Sequence, residues 1–461
     1  MKRKTFFSLV CVYLILFIYS TFLYAGVKEI NLSNGMQVLF KEDHRLPVVA
    51  IQLWVRAGSK NEKDSESGIS HFIEHMAFKG TEKYKSREIY KEIEKRGGTI
   101  NAGTSRDFTY FYIVLPSNIE AFTEKDTGAG HLAGAGGAGT GLAAGLDIIF
   151  QVAVKSIFPQ EEVERERLVI LEEIKRKEDD PQGCLWDIFN SILYKGCGYA
   201  HPVLGNEETV KSFSREALLE YYRKNYVPEN FVLVIAGDFN VESALAQIKE
   251  RFGRLERISF PRQKPRTAIL EQIQEKPDEF KIEKEVSQAY VMLGTSGPEG
   301  RDRDAYVMDV IAYILGKGRG SRFYRILRQQ KEMVWDIECS YLTEVERGPF
   351  YIYLECEPDK IPEVRKEIAG EIKRLSEEIV PEEEIERAKA LLESEHLLST
   401  ETFYGDAFNL GYYELVGSYK LGVDYLKNIL KVSATDIQRV ARKYLDPEKF
   451  VCVTITPSSV H

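Results

Sequence analysis

The pattern of apolar and polar positions along the chain occurs twice in the same order. Apolar residues alternate over residues 49–55, as in a half-buried strand, and a helical pattern follows over about residues 69–78. Alternation returns over residues 289–293, and a second helical pattern covers about residues 305–315. The repeated order predicts a duplicated unit in which strands and helices mix, so we expect an α+β fold.

Two pairs of landmarks measure the offset between the copies. Gly80 and Gly318 are 238 positions apart, whereas Phe231 and Phe450 are 219 positions apart. The first copy therefore holds 19 more residues between its landmarks than the second copy does. This difference predicts an insertion in the first copy.

The same patterns predict the boundaries of the two copies. We assign one domain to residues 27–257 and the second to residues 281–461. The stretch between them, from Ile258 to Phe280, contains three prolines and many charged residues. Such a composition is typical of an exposed linker between domains.

The extra residues of the first copy coincide with a glycine-rich stretch. Eight of the 34 glycines fall between Gly128 and Gly145, a density that a helix does not sustain. The flanking residues 117–123 and 146–158 carry a helical pattern. We predict a linker-like insertion over about residues 124–145 and expect its deletion to preserve or improve folding. A phosphate-binding loop is the alternative, but the motifs of such loops are missing.

The first residues carry the pattern of an export signal. Three positive charges lie within the first four residues, and a mostly apolar run extends from Phe6 to Tyr24 before the small pair Ala25-Gly26. We predict a signal peptide over residues 1–25. An uncleaved anchor is the alternative, because the run approaches the length of a membrane span. We expect an exported protein, periplasmic or secreted, that contacts a membrane only if the segment is not cleaved.

Composition and charge narrow the classes of function. The chain has 461 residues, of which 44% are hydrophobic and 29% charged, as in an ordinary globular protein. Its net charge of -9 argues against a nucleic-acid partner. The six cysteines are scattered without a CxxC pair, which predicts buried apolar thiols. An exported setting permits a disulfide, but the spacing does not indicate one.

The motif HFIEH at residues 71–75 carries the clearest chemistry. Positions i, i+3 and i+4 of a helix share one face, so His71, Glu74 and His75 project together. Two imidazoles in this arrangement can bind one zinc ion, and the glutamate between them can take a proton from metal-activated water. The HxxEH order is typical of one class of zinc peptidases.

A catalytic zinc ion needs a third protein ligand and one open position. The acidic helical pattern over residues 161–177 is the best source of that ligand. Glu166 and Glu173 lie seven positions apart there, so they share one face of the predicted helix. A solvated helix face is the alternative interpretation of each single acid in this stretch.

Several longer segments make the chain resemble the pitrilysin/insulinase-type zinc metallopeptidases, and within them the short two-domain group that includes mitochondrial processing peptidase subunits. The segments are HFIEHMAFKGT at 71–81, GGTINAGTSRDFTYF at 97–111, ERERLVILEEI at 164–174, Asp180-Pro181, HPVLG at 201–205 and GSRFYRILRQQ at 320–330. The match covers essentially all of residues 27–461. The resemblance implies two homologous domains, each a mostly antiparallel sheet packed with helices, that form half of a clamshell.

The resemblance also implies roles for the residues of the metal site. His71 and His75 match the histidine ligands, and Glu74 matches the general base. Glu173 matches the third ligand of one Zn²⁺ per chain. Glu166 matches the acid that orients one of the ligands.

Substrate-binding residues are implied in both halves. Asn101 and Ala102 match an edge strand that binds the substrate backbone by strand addition. Arg328 matches an arginine of the second half, whereas Trp335 stands where the family has a tyrosine that helps to hold the substrate carbonyl and its oxyanion. An indole N–H can donate a hydrogen bond, although its reach differs from that of a phenol. The alternative is that Trp335 is a packed core aromatic.

The chain departs from the family pattern in two further places. The second copy places Asp309, Ala312 and Tyr313 at the three motif positions, so it does not repeat the zinc site. The step from His75 to Glu173 is 98 positions, which exceeds the family pattern by about the length of the glycine-rich insertion.

These observations predict a zinc-dependent endopeptidase that hydrolyses peptides or unfolded protein segments through metal-activated water, with Glu74 as general base. The chain is expected to act as a homodimer, or as a heterodimer with a related two-domain subunit, which the change at Trp335 suggests. The alternative is a catalytically weak or inert peptide-binding or scaffold subunit of the same fold. The intact motif argues against this alternative, whereas the insertion and Trp335 favour it.

Overall fold

The computed structural model describes the backbone of residues 22–24 and all atoms of residues 26–117, 141–257 and 279–458. Residues 1–21 of the predicted signal, 124–140 of the predicted insertion and 258–278 of the predicted linker lie outside the described residues. What the sequence predicts for those segments stays a prediction.

The described residues form twelve strands and fifteen α-helices. The strands are β1 Phe22–Tyr24, β2 Val27–Asn31, β3 Gln37–Glu42, β4 Val48–Val55, β5 Thr99–Thr104, β6 Thr109–Pro116, β7 Phe231–Gly237, β8 Glu279–Lys284, β9 Ala289–Glu299, β10 Val334–Tyr341, β11 Arg347–Cys356 and β12 Val451–Pro457. The helices are α1 Ile69–Ala77, α2 Ser86–Glu94, α3 Gly141–Val154, α4 Gln160–Asp179, α5 Pro181–Leu193, α6 Glu207–Ser212, α7 Arg215–Asn225, α8 Val241–Arg251, α9 Asp304–Gly316, α10 Ile361–Glu377, α11 Glu382–Ser399, α12 Phe403–Val416, α13 Tyr419–Val423, α14 Tyr425–Ile429 and α15 Ala434–Tyr444. A π-helical turn covers Tyr324–Gln330.

The two sheets have the same strand order once an N-terminal extension is set aside. The first sheet runs β1-β2-β3-β7-β4-β6-β5 and the second runs β10-β11-β9-β12-β8. The five strands from β3 to β7 correspond, one by one in chain order, to the five strands from β8 to β12. With this correspondence the two strand orders are identical. The pairs β3–β7 and β8–β12 are parallel, and the other pairs within each copy are antiparallel. The predicted α+β fold of two homologous units is therefore confirmed.

One face of each sheet is covered by helices of its own half. The first core lies between the first sheet and helices α1, α3, α4, α7 and α8, and the second lies between the second sheet and helices α9, α10, α11 and α15. Strand β4 illustrates the reason, because its alternate residues Val49, Ile51, Leu53 and Val55 all enter the first core. Most elements predicted from period-2 and helical patterns are observed with shifts of one or two residues at their ends. Two differ more: β9 continues six residues beyond the predicted alternation over 289–293, and α3 ends four residues before the helical pattern over 146–158.

The opposite face of each sheet is covered by a helix from the other half. In α5, Leu185, Phe189 and Leu193 pack against β9 and β12 of the second sheet. In α12, Phe403 and Ala407 pack against β4 and β7 of the first sheet. Burial of each large side chain stabilises the fold by roughly 1.5–3 kcal/mol, so this exchange of helices joins the halves into one packed unit.

The C-terminal boundary predicted for the glycine-rich insertion is wrong. Residues 141–145 belong to α3, and Leu142 and Leu146 of that helix are buried in the first core. A Cβ atom on Gly141 would lie 1.9 Å from the carbonyl oxygen of Pro116, and one on Gly145 would lie 2.6 Å from Cδ1 of Ile51. These glycines permit close packing of a helix on the sheet. Amino-acid composition alone does not distinguish glycines with this packing role from glycines of a flexible linker.

Two strands include residues that the sequence pattern assigns to the signal peptide or to the linker. The backbone of β1, within the predicted signal, pairs antiparallel with β2. Phe280, assigned to the linker, instead lies in β8, which pairs in parallel with β12. Among the described residues, no helix combines the length and the apolar character that crossing a bilayer requires. The five cysteines of these residues are free, and four of them are buried.

A partly buried acid, Asp309, occupies the position in α9 that matches the first histidine of the motif. Burial raises the pKa of Asp309 to about 7, an effect that the hydrogen bond donated by the hydroxyl of Tyr425 to Oδ2 (2.8 Å) opposes and the charge of Glu395 reinforces. The folded protein therefore holds a proton that the unfolded chain gives up near the ordinary value of 3.8.

Asp309→Asn should stabilise the protein more at pH 8.5 than at pH 5. Between the two pKa values the folded state binds more protons than the unfolded state, so wild-type stability falls as pH rises. Over this range the free energy of unfolding decreases by about 1.4 kcal/mol for each pH unit. Melting temperatures of both proteins across this range measure the effect. Asp304→Asn in the same helix is the control of opposite sign, because ion pairs with Arg439 and Lys443 outweigh burial and lower the pKa of Asp304.

Two deletion variants should show that the glycines of α3 contribute to stability, in contrast to the rest of the predicted insertion. Removal of residues 124–145 takes away the first turn of α3 and the buried Leu142, so we now expect a lower melting temperature than in the protein lacking only residues 124–139. Equal melting temperatures of the two variants would contradict a packing role of residues 141–145.

Candidate metal centre

The helix α1 begins at a buried cap supplied from a preceding turn. Gly68 has φ 92, a left-handed conformation that glycine adopts readily. Oε2 of Glu62 accepts the N–H of Gly68 (2.7 Å), and Oε1 accepts the N–H of Ser70 (2.9 Å). Both N–H groups belong to the first turn, where a helix has no partners of its own. The cap thereby fixes the turn that carries His71.

Helix α4 crosses α1 and brings one carboxylate opposite two imidazoles. Oε2 of Glu173 lies 3.7 Å from Nε2 of His71 and 3.6 Å from Nε2 of His75. Ligands that hold one tetrahedral zinc ion at about 2.0–2.2 Å lie roughly 3.4 Å apart, so the spacing fits a single ion. Within the described parts of the chain, these are the three His, Cys, Asp or Glu residues whose ligand atoms converge, all within 4.8 Å of one another.

A second carboxylate sets the tautomer of one ligand. Nδ1–H of His75 donates to Oε2 of Glu166 (3.0 Å), which leaves the lone pair of Nε2 for a metal. Nζ of Lys79 lies 2.7 Å from Oε1 of the same carboxylate. Burial works to raise the pKa of Glu166, but the hydrogen bonds from His75 and Lys79 outweigh it and lower the pKa. Glu166 is therefore an ionised acceptor.

The two histidines differ in their electrostatic surroundings. Burial, aided by the positive charges of His75 and Lys177, lowers the pKa of His71 to about 3, so its imidazole is neutral, as a metal ligand requires. Burial also opposes the charge of His75, but its hydrogen bond to Glu166 and the nearby charge of Glu173 raise its pKa. The residues present thus offer one neutral imidazole, one oriented imidazole and one carboxylate, a donor set suited to zinc.

Glu74 faces the edge strand. The hydroxyl of Thr104 in β5 donates to Oε2 of Glu74 (2.6 Å). Burial raises the pKa of the Glu74 carboxyl, with a further contribution from Glu173, while the Thr104 hydrogen bond and His75 oppose the shift. A carboxylate with a raised pKa and a fixed orientation can act as a general base near neutral pH.

Strand β5, which carries Asn101 and Ala102, is the edge of the first sheet, because it pairs with β6 and ends the strand order. The N–H of Ala102 donates to Oδ1 of Asn101 (2.9 Å). This N–H group therefore points away from β6. In antiparallel pairing the N–H and C=O of one residue point to the same side. Ala102 therefore presents both groups to the open edge, beside the helix that carries Glu74.

Arg328 and Trp335 lie in the second half, and Arg328 makes its contacts there. Nη1 of Arg328 pairs with Oδ1 of Asp336 (3.4 Å), and its guanidinium lies 5.2 Å from the ring centre of Tyr324. Trp335 is 45% exposed next to a β-bulge in β10, so its interpretation as a packed core aromatic is wrong. The bulge inserts one residue and turns the indole outward. These contacts do not join either residue to the histidines.

Three residues that act on the site were not predicted: Thr104, Lys79 and Glu62. Thr104 could have been found from the sequence. Ile100, Ala102 and Thr104 share one face of β5, and if that face packs next to α1, its polar residue must meet the polar side chains of α1. Lys79 follows the motif at helical spacing from His75, but many surface lysines do. Glu62 lies in a turn, where no periodicity marks the direction of its carboxylate.

The family of the chain follows from comparison with known proteins. The model described as insulinase (peptidase family M16) matches residues 37–207, and the model described as peptidase M16 inactive domain matches residues 212–392. A relative from Rickettsia felis named as a zinc protease is 30% identical over 90% of this chain and 93% of its own length. The chain therefore belongs to the insulinase (peptidase M16) family.

Other relatives and solved structures agree with this assignment. A zinc protease of Bacillus subtilis is 26% identical over 94% of this chain and 98% of its own. The crystal structure of a Helicobacter pylori protease matches 94% of this chain and 99% of its own with a TM-score of 0.82 at 22% identity. A peptidase M16 inactive domain from Pseudomonas fluorescens gives a TM-score of 0.80 at 20% identity, with 94% and 98% of the chains covered. These structures share the two-domain fold.

Glu166→Ala should weaken zinc binding by about 10–100-fold, because His75 loses the acceptor that fixes its tautomer and ring orientation. Competition with a chromophoric chelator measures the affinity. Glu164→Ala on the same helix is the control, since its carboxylate is exposed and pairs with Arg167. Equal affinities of the two variants would show that Glu166 does not orient the ligand.

Proposed function

We propose that this chain is a zinc-dependent endopeptidase that hydrolyses peptides or unfolded protein segments. The observation that carries the proposal is the convergence of His71, His75 and Glu173 beside Glu74, at an open strand edge. When held by the first three residues, zinc would polarise the scissile carbonyl and make water a stronger nucleophile near neutral pH. The names of the relatives support zinc and proteolysis at this level.

Glu74 is assigned the proton transfers. Thr104 holds Oε2 of its carboxylate, so Oε1 is the atom that accepts a proton from the attacking water. The same carboxyl group then returns the proton to the leaving amine, which must be protonated as the peptide bond breaks. Since the hydrogen bond from Thr104 is to one oxygen only, it orients the carboxylate without removing its second acceptor.

Strand β5 is assigned the binding of the peptide backbone. An extended peptide that pairs with β5 would accept and donate hydrogen bonds at Ala102, replacing the bond that the N–H now makes to Asn101. Main-chain pairing requires an unfolded segment, because a folded substrate has its own backbone groups paired. This requirement supports peptides and unfolded segments as the substrate class.

Trp335 and Arg328 are assigned to substrate binding across a dimer. The exposed indole is available to donate from its N–H, and Arg328 is partly exposed on the same half. Since Arg328 pairs within the second half and Trp335 is exposed, a second chain of this kind, identical or related, is proposed to bring such groups to the metal. One matched structure is titled Complex III2 from Candida albicans (TM-score 0.74, 17% identity).

The protein is also proposed to be exported, on the pattern of residues 1–25. Cleavage after Ala25 would remove β1, which pairs with β2 alone at one end of the sheet. The sheet from β2 to β5 would remain. N-terminal sequencing of the protein from the cell envelope distinguishes a cleaved signal from an anchor.

Glu74→Gln should keep stoichiometric zinc and lose peptide cleavage by several orders of magnitude, since the amide cannot accept the proton. Cleavage of a quenched fluorescent peptide and zinc content per chain are the measurements. Glu82→Gln is the control, because that carboxylate is exposed and pairs with Lys155.

A wild type that binds zinc but shows no Glu74-dependent cleavage of peptides, even with a related subunit added, would contradict the proposal. That result would favour the inert peptide-binding or scaffold subunit, which the exposed Trp335 in place of a tyrosine keeps as the second candidate.

A further inference from the structure

Equivalent turns of the two halves meet in the interior. The turn of residues 105–108 joins β5 to β6, and the loop of residues 342–346 joins β10 to β11. The shared strand order makes these two connections counterparts. They contact each other through buried charged groups, and we name this contact the turn junction. It is the place where the second half reaches the strand that carries Thr104.

The centre of the turn junction is a buried ion pair. Nη2 of Arg106 lies 2.5 Å from Oε1 of Glu344, and the two residues are 7% and 8% exposed. Nη1 of Arg106 donates to Oδ1 of Asn190 in α5, and the guanidinium lies over the ring of Trp186 (5.2 Å to its centre). Burial raises the pKa of the Glu344 carboxyl, and the charge of Arg106 opposes that shift. The planar guanidinium is thus fixed on its edge and on its face.

The neighbouring residue makes a second set of bonds. Asp107 pairs with Lys60 through Oδ1 (2.5 Å), and the hydroxyl of Tyr199 donates to the same oxygen (2.5 Å). Oδ2 of Asp107 accepts the N–H of Val345 (3.1 Å), and the hydroxyl of Tyr199 accepts the N–H of Glu346 (3.2 Å). The turn junction therefore places the cations of Arg106 and Lys60 beside the carboxyl groups of Glu344 and Asp107, and each backbone bond depends on the register of the loop.

A short covalent path leads from this junction to the general base. Thr104 immediately precedes the turn, and its hydroxyl donates to Glu74 (2.6 Å). The turn itself is held from the other side, because the N–H of Ser59 donates to the carbonyl of Ser105 (3.1 Å) and that of Lys60 to the carbonyl of Arg106 (3.0 Å). A displacement of Arg106 would consequently move the end of β5 and the partner of Glu74.

We propose that Glu344 is a positioning residue, which holds edge strand β5 and Thr104 in place through Arg106. The half of the chain without a zinc site thereby sets the geometry of the half that has one. This inference rests on the proposed endopeptidase function, for which β5 binds the substrate backbone. Glu344 touches neither the metal ligands nor Glu74, and it acts through the turn junction alone.

The test compares Glu344→Gln with Glu371→Gln in the full-length protein. Glu371 is 5% exposed and pairs with Arg322 (3.7 Å) and Arg374 (2.8 Å) within the second half, so it is a control of similar burial. Hydrogen–deuterium exchange of peptides spanning residues 99–109 reports the edge strand without reference to activity. Zinc content, kcat and KM are measured on one short peptide and on one long enough to lie along β5.

Glu344→Gln should exchange several-fold faster over residues 99–109 at unchanged zinc content, and the control should not. Its kcat/KM should fall by about tenfold or more, with KM rising more for the long peptide than for the short one. Wild-type exchange over 99–109 in Glu344→Gln would overturn the inference. So would a loss equal to that of Glu371→Gln at equal melting temperature.

A second variant keeps the test decisive if Glu344→Gln does not fold. Arg106→Lys retains the charge but not the forked donor geometry, so the same acceleration of exchange over residues 99–109 is expected. Absence of that acceleration would overturn the inference. A wild type without any peptidase activity would defeat the proposed function, yet the exchange comparison would still decide whether Glu344 positions β5.

Discussion

The helix α1 must bury one side in a hydrophobic core while it directs three polar side chains to a single point. Phe72, Ile73 and Met76 enter the core, so the polar side of the helix can face only α4 and the end of β5. Two of the polar side chains on that side have a hydrogen-bond partner on a neighbouring element, Glu74 with Thr104 and His75 with Glu166. The candidate metal centre lies on this side because polar groups of a buried helix must meet other polar groups.

Local patterns were sufficient to predict the elements of the site. The i, i+3, i+4 spacing around Glu74 and the two-turn spacing of Glu166 and Glu173 each fix a shared helix face, and the structure places the two faces opposite each other. The duplication was also predictable, because the alternating and helical patterns occur twice in the same order, whereas the strand order within each sheet was not predicted. Both signals depend on sequence neighbours within a few turns.

Features that depend on distant contacts could not be predicted in this way. The exchange of α5 and α12 leaves no local trace, since an amphipathic helix has the same pattern whichever sheet it covers. The glycines of α3 were misassigned because a position that needs close approach and one that needs flexibility demand the same residue. The exposure of Trp335 was not predictable for a related reason: it depends on a single-residue bulge in β10, and this exposure excludes the alternative of a packed core aromatic.

Because the two halves exchange helices, neither half buries its apolar surfaces without the other. A chain that ended after the first half would leave the apolar face of β4 and β7 bare and α5 without a sheet to cover. The half with the histidine motif is therefore not a self-contained unit, in contrast to domains joined only by a linker. The half without the histidine motif covers one face of the first sheet, and this packing role does not depend on any chemistry of its own.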